Sequence, residues 1–127
     1  MKIEAWMTRN PVCSASNDTL MMANALMAAG GFHRVPVVEG GRVLGILTDR
    51  DIRKHWGGLE SIRVGAAMAR HPICIPSHCS LEDAARMMLL HRIGGLPVVD
   101  EGRLVGIVTT TDVLKAFVGR PRPSRDG

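Results

Sequence analysis

One stretch of this chain occurs twice, 61 residues apart. Met7–Trp56 aligns with Met68–Phe117 without a gap, and 18 of the 50 aligned pairs are identical. MTRNPVC matches MARHPIC, and RVPVVEGGRVLGILTDRDI matches GLPVVDEGRLVGIVTTTDV. Repetition at this level indicates one supersecondary unit built twice, with each copy burying its apolar face on the other. We therefore expect a pseudo-symmetric pair, with repeat 1 at residues 1–58 and repeat 2 at residues 59–119.

Hydrophobic periodicity and turn residues predict the order β-α-β-β-α in each repeat, which is an α/β fold. Glycines at 41 and 102 suit left-handed turn positions in hairpins, and Gly31 suits a helix C-cap. Pro36 and Pro97 predict that the first strand of each hairpin has an unpaired stretch or lies at an edge. The predicted elements of repeat 1 are a strand near Val12–Cys13, a helix over Leu20–Ala29, a hairpin of Val35–Glu39 and Val43–Leu47, and a helix after Thr48. Those of repeat 2 are a strand over Ile73–Ile75, a helix over Leu81–His91, a hairpin of Leu96–Asp100 and Leu104–Val108, and a helix after Thr109.

The helix starts differ between the repeats. Ser80 and Asp83 predict a capping box, whereas Thr19 has Met22 where the acid would stand. The segment His55–Ala67 is expected to link the two repeats.

Charge and composition argue against several classes of protein. The formal net charge is +4, and about half of it lies in residues 120–127, which we expect to be a disordered basic tail. The rest is close to neutral, so the charge does not indicate a nucleic-acid partner. We found neither a membrane-length apolar run nor a signal-peptide core. Three cysteines do not suggest a disulfide framework, and we expect a cytoplasmic protein.

Catalytic and metal motifs give little support to an enzyme. The chain lacks GxSxG, P-loop, HExxH and CxxC patterns. His71, Cys74, His78 and Cys79 are possible zinc ligands, but Cys74 matches Cys13 as a strand residue, so no metal is expected. The methionines at 21, 22, 27, 87 and 88 are interpreted as core residues.

The repeated Thr-x-x-Asp motif, Thr48 to Asp51 and Thr109 to Asp112, allows two interpretations. The threonine and the acid could simply cap a helix. Alternatively, the carboxylate could accept hydrogen bonds from both hydroxyls of a ribose. Gly45 and Gly106 favour the second interpretation, because glycine within a strand often marks a close approach to the backbone.

Together these motifs identify the chain as similar to a tandem pair of CBS domains, the arrangement called a Bateman module. The resemblance covers about residues 5–118 and depends on MTRNP and MARHP, SLED, VPVVE and LPVVD, and GILTDRD and GIVTTTD. It implies that clefts between the repeats bind adenosyl ligands: AMP, ADP or ATP foremost, with S-adenosylmethionine or NAD also possible. It further implies a non-catalytic regulatory role, a homodimer and an unidentified regulated protein. The alternative is a ligand-free dimerisation or protein-interaction module.

The resemblance also implies which residues form each cleft, because the acid and the segment before the PVV strand tend to come from opposite repeats. Cleft one would comprise Cys13, Phe32, His33, Arg34, Thr109, Thr111 and Asp112. Cleft two would comprise Thr48, Arg50, Asp51, Cys74, Ile93, Gly94 and Gly95. Two glycines replace the His-Arg pair in cleft two, so weak phosphate binding is expected there. Arg34 could instead form a surface ion pair with Glu39.

Overall fold

Two antiparallel hairpins form the centre of the structure, one from each repeat. The computed structural model describes residues 1–119, and the predicted tail at 120–127 lies outside the described residues. The elements are a 3-10 helix at Ile3–Ala5, β1 Thr8–Arg9, α1 Leu20–Gly30, β2 Arg34–Glu39, β3 Arg42–Thr48, α2 Asp49–Lys54, α3 Val64–Ala67, β4 Ala69–Arg70, α4 Leu81–His91, β5 Gly95–Asp100, β6 Arg103–Thr109 and α5 Thr110–Gly119. The predicted α/β fold of two similar repeats is confirmed.

The two repeats exchange their leading strands. One sheet has the order β2-β3-β4, and the other has the order β5-β6-β1. Thus β1, from the start of repeat 1, pairs with the hairpin of repeat 2, while β4 pairs with the hairpin of repeat 1. Each sheet therefore needs a strand from the other repeat to reach three strands, and the two halves are interlocked.

The hydrophobic core follows the same exchange. Ile3 and Met7 pack in the core of repeat 2, whereas Val64 and Met68 pack in the core of repeat 1. Ile3 and Val64 are fully buried, and each belongs to a short helical turn just before its exchanged strand. The predicted linker at 55–67 is therefore partly structural, because its last turn helps to build the first core.

Gly45 and Gly106 lie where these exchanged strands cross the hairpins. A Cβ at Gly45 would be 2.5 Å from the carbonyl oxygen of Ala69, and one at Gly106 would be 2.8 Å from that of Thr8. Both distances are too short for carbon against backbone oxygen. The close approach that these glycines predicted is real, but protein backbone makes it, so the two glycines no longer favour a ligand.

The predicted strands at Val12–Cys13 and Ile73–Ile75 are each reduced to one parallel bridge. Ser14 pairs with Val37, and Ile75 pairs with Val98. The Ser14 amide donates to the carbonyl of Pro36, so this pairing at the sheet edge does not need an N–H from the proline. β2 and β5 are both edge strands, as the prolines predicted.

The helix ends agree with the sequence signals, with one correction. Gly31 is a left-handed C-cap of α1 at φ 68°, and Thr19 accepts a hydrogen bond from the Met22 amide. Ser80 accepts from the Asp83 amide, but the reciprocal half of the predicted capping box is missing within residues 1–119. The Asp83 carboxylate instead accepts from Arg86 at 2.9 Å.

Two of the five methionines that were predicted to be core residues are exposed instead. Met27 and Met88 belong to the core, but Met21 and Met22 are exposed, so their assignment to the core was wrong. The largest exposed apolar side chains of the last two helices are Leu89, Leu90, Leu114, Phe117 and Val118.

Candidate functional site

Two cavities open between the repeats, at positions related by the pseudo-two-fold symmetry. The first has a volume of about 480 Å³ and the second about 680 Å³, both within the range of small-molecule sites. The first is lined by Thr8, Asn10, Pro11, Val12, Gly30, Gly31, Phe32, His33, Arg34, Pro36, Gly94, Ile107, Thr109, Thr110, Thr111, Asp112 and Lys115. The second is lined by Arg34, Ile46, Thr48, Asp49, Arg50, Asp51, Arg53, Lys54, Ala69, Arg70, His71, Pro72, Ile73, Arg92, Ile93, Gly94, Gly95 and Pro97.

Each cavity takes its acid from one repeat and the segment before the PVV strand from the other. The first brings Phe32, His33 and Arg34 together with Thr109, Thr111 and Asp112. The second brings Ile93, Gly94 and Gly95 together with Thr48, Arg50 and Asp51. This grouping has the crossed arrangement expected from the resemblance.

Cys13 and Cys74 do not reach the cavity walls. Their thiols donate to the carbonyls of Pro11 and Pro72, at 3.2 and 3.4 Å, and partial burial raises the pKa of both thiols. The residues before them, Val12 and Ile73, line the cavities instead.

The two motif acids form capping boxes. The Oδ2 atom of Asp51 accepts from the amide and hydroxyl of Thr48, at 2.9 and 3.0 Å. Asp112 accepts from Thr109 in the same way, at 2.8 and 3.2 Å. Among residues 1–119, neither Oδ1 atom has a hydrogen-bond partner. The capping interpretation is thus correct, and one oxygen of each carboxylate is still available at a cavity wall.

Arg34 extends from repeat 1 across the symmetry axis and lies against two glycines of repeat 2. A Cβ at Gly94 would be 2.8 Å from its Nη2 atom, and a Cβ at Gly95 would be 2.7 Å from its Cδ atom. Gly95 is the residue equivalent to Arg34 in the 61-residue repeat, so one arginine occupies the space of two. Arg34 therefore lines both cavities.

The surface ion pair between Arg34 and Glu39 does not form within the described chain. Burial lowers the pKa of Arg34, and the negative charge of Asp49 partly offsets that effect. An arginine keeps its charge under such shifts because its pKa starts so high. A fixed positive charge thus lies between the cavities.

His33 is bound on its own repeat. Its Nδ1 atom lies 3.1 Å from Oδ2 of Asp49, which also pairs with Arg53 at 3.3 Å. Burial alone would raise the pKa of Asp49, but Arg53, His33 and the Arg50 amide lower it overall. The negative charge of Asp49 is therefore balanced by the neighbouring Arg53.

Several wall residues were missed by the sequence analysis, although a signal for them exists. Asn10 and Pro11 line the first cavity, and His71 and Pro72 line the second. These residues belong to the repeated MTRNP and MARHP motifs, which supported the resemblance to the family but were assigned no role in binding. Lys115 has such a signal too, because the aligned residue of repeat 1 is Lys54. Arg92 has none, since its aligned residue is Gly31.

The described residues contain no group of three His, Cys, Asp or Glu side chains placed to hold a metal ion. No helix within residues 1–119 is long and apolar enough to cross a membrane.

Paired repeats of this topology, with a cavity on each side of the symmetry axis, define a class of protein built from two small α/β units. The CBS domain family matches residues 3–58 and 64–119, so the chain belongs to that family and carries two such domains in tandem. A CBS domain-containing protein of Dictyostelium discoideum is 36% identical over 117 residues, which are 80% of this chain and 81% of that protein. Some relatives are longer: protein MJ1225 of Methanocaldococcus jannaschii is 33% identical over 91% of this chain but only 46% of its own length.

Two solved structures resemble the fold closely and contain ligands. The CBS domain pair of protein MJ0100, in complex with 5′-methylthioadenosine and S-adenosyl-L-methionine, has a TM-score of 0.87 at 28% identity, covering 95% of this chain and 98% of that one. CBSX2 in complex with AMP has a TM-score of 0.87 at 26% identity, with the same two coverages.

Proposed function

We propose that this protein is a non-catalytic sensor that binds adenosine-type nucleotides, AMP, ADP or ATP, in the two cavities between its CBS domains. The observation that carries this proposal is the pairing of an available Asp oxygen from one repeat with the segment before the PVV strand of the other. Such a cavity can hold the ribose and the base of one ligand between two repeats. S-adenosylmethionine and NAD share the same adenosyl group and are the next candidates.

The first cavity illustrates the fit of each ligand group. Oδ1 of Asp112 can accept from a ribose hydroxyl, a charge-assisted hydrogen bond that is stronger than a neutral one. Phe32 presents the aromatic ring on which a base could stack. Arg34 and Lys115 supply positive charge for a phosphate.

A regulatory role is favoured over catalysis by how the polar groups of the cavities are held. Asp51 and Asp112 are fixed in capping boxes, and Asp49 is ion-paired, so none of them is placed as a general base. A ligand in either cavity would contact both repeats and would bias how they pack on each other. We propose that an unidentified partner protein, in the cytoplasm where free thiols are stable, responds to this change.

We also propose a homodimer of about 27 kDa, twice the 13.7 kDa chain. Leu20, Met27, Leu81 and Met88, the apolar residues of α1 and α4 at helical spacing, are buried within the chain and do not supply its interface. The exposed apolar side chains of α4 and α5 support the proposal instead: Leu89, Leu90, Leu114, Phe117 and Val118. A ligand-free interaction module would use the same surface, so these exposed residues also support that second function.

A thermal-shift screen of the purified protein separates the two functions. At about 100 times its dissociation constant, a ligand adds about 2.7 kcal/mol to the free energy of unfolding. AMP, ADP, ATP, S-adenosylmethionine and NAD should include at least one that raises Tm, with guanosine nucleotides as the comparison. No rise with any of them at millimolar concentration would leave the interaction module as the function.

A further inference from the structure

The two cavities differ in charge. The second is lined by six arginine and lysine side chains and two aspartates, whereas the first has two such cations and one aspartate. Asp49 and Arg53 neutralise each other at 3.3 Å in the second cavity. Five cations then remain there without a carboxylate partner within residues 1–119, against the single carboxylate of Asp51: Arg34, Arg50, Lys54, Arg70 and Arg92.

The difference arises at equivalent positions of the repeat. Arg50 in the second cavity stands where the first has Thr111, and Arg92 stands where the first has Gly31. Lys54 and Lys115 are equivalent and add the same charge to each cavity. These two differences, together with Arg70, whose equivalent Arg9 does not line the first cavity, make the second cavity more positive than the first.

The glycine pair of repeat 2 contributes to the same effect. It was expected to weaken phosphate binding in the second cavity, because it lacks a basic side chain. In the structure its lack of side chains leaves room for Arg34, which enters from repeat 1 and lies against Gly94 and Gly95. The second cavity thus gains an arginine at the very place where its own sequence has none.

Excess positive charge in a concave site favours ligands with several negative charges, because the surrounding low-dielectric walls concentrate the field. Arginine is particularly suited to phosphate, since its guanidinium can donate two parallel hydrogen bonds. The greater volume of the second cavity, about 680 Å³ against 480 Å³, leaves room for a longer ligand.

We propose that the second cavity selects the polyphosphate chain of a nucleoside di- or triphosphate, whereas the first takes an adenosyl ligand with at most one phosphate. This rests on the proposed function, because it assigns ligand classes to the same two cavities. The two cavities would then report different states of the adenylate pool from one chain.

Isothermal titration of the 127-residue chain with ATP and with AMP tests this assignment. Arg50→Thr and Arg92→Gly copy the residues of the first cavity into the second. Each should weaken ATP by about tenfold, the size of one lost charged hydrogen bond, and should weaken AMP less. Glycine suits position 92, where the backbone has φ 55°, so the fold should be kept. The reverse change, Thr111→Arg, should strengthen ATP binding at the first cavity.

Arg86→Gln is the matched control, because it removes an exposed positive charge outside both cavities. The proposal is overturned if ATP and AMP bind equally well and the Arg50→Thr/Arg92→Gly double variant loses no more ATP affinity than the control; nucleotide sensing would still stand. If adenosine, AMP and ATP all fail to bind wild type, both the assignment and the proposed function fall. Inorganic triphosphate should compete with ATP for wild type and not for the double variant.

Discussion

The guanidinium of Arg34 lies against the backbone of Gly94, where a Cβ would be 2.8 Å from its Nη2 atom. The two residues belong to different repeats, and their contact lies at the axis between the two cavities. Because Arg34 lines both cavities, a nucleotide phosphate in either one would meet the same positive charge.

Arg34→Ala should therefore weaken AMP and ATP while leaving adenosine nearly unchanged, and the loss should shrink at high salt. Residues that hold one ligand are energetically coupled, so Arg34→Ala should be non-additive with Asp112→Asn and also with Asp51→Asn. The resemblance placed Arg34 in the cleft of Asp112 alone, which would give coupling to Asp112 and none to Asp51. Simple additivity with both acids, measured as binding free energies by titration, would show that Arg34 belongs to neither site.

Gly94→Ala offers an independent test of where Arg34 lies. The clash is with the end of a flexible side chain, so the arginine can move, and the free energy of unfolding should change by less than about 1 kcal/mol. Phosphate-bearing ligands should nevertheless bind more weakly, because the guanidinium is displaced. Urea unfolding and AMP titration of the same variant check both parts. Unchanged AMP affinity would contradict the placement.

Gly45→Ala and Gly106→Ala should behave in the opposite way. The atoms that their Cβ would meet include backbone carbonyls of the exchanged strands, which cannot move without breaking the pairing. Each change should lower the free energy of unfolding by about 1–3 kcal/mol or more. Gly119→Ala is the control, since its Cβ would only touch Trp6 at 3.8 Å. Equal stability of all three variants in urea would argue against the strand exchange.

The exposed apolar residues of α4 and α5 are expected to form the interface of the proposed homodimer. Leu114→Glu and Phe117→Glu place charge on exposed side chains, so they should leave the fold intact and dissociate a dimer of about 27 kDa. Light scattering at micromolar concentration measures the mass. Trp56 is the repeat-1 residue equivalent to Phe117. Trp56→Glu should dissociate the dimer only if the corresponding surface of repeat 1 also forms the interface. A monomeric wild type would end the dimer proposal.

Much of the fold could be predicted from the 61-residue repeat, but the strand exchange could not. The predicted leading strands were Val12–Cys13 and Ile73–Ile75, whereas the exchanged strands are Thr8–Arg9 and Ala69–Arg70, which were not predicted as strands. Thr8–Arg9 and Ala69–Arg70 are only two residues long, so their side chains could not tell which hairpin is the partner. The choice depends on the three-dimensional path of the chain.

The candidate site was predictable where a motif fixed it and not where a side chain crosses between repeats. The acids and their threonines follow from the repeated motif and are where that motif implied. Arg34 was assigned to one cavity, because nothing in its neighbours shows that its side chain runs over Gly94 and Gly95. The cysteines were misplaced by one residue, since an extended segment points successive side chains to opposite faces.

Titration of AMP and 2′-deoxy-AMP into wild type and the Asp51→Asn/Asp112→Asn double variant tests the central claim, that these carboxylates hold a ribose between the repeats. Asparagine keeps a capping oxygen, so the Tm of the variant should stay close to that of wild type. Wild type should bind AMP more tightly than 2′-deoxy-AMP, and the variant should lose AMP affinity by about tenfold or more while no longer distinguishing the two ligands. Equal binding of AMP and 2′-deoxy-AMP to wild type, with affinity unchanged in the variant, would mean that Asp51 and Asp112 only cap helices.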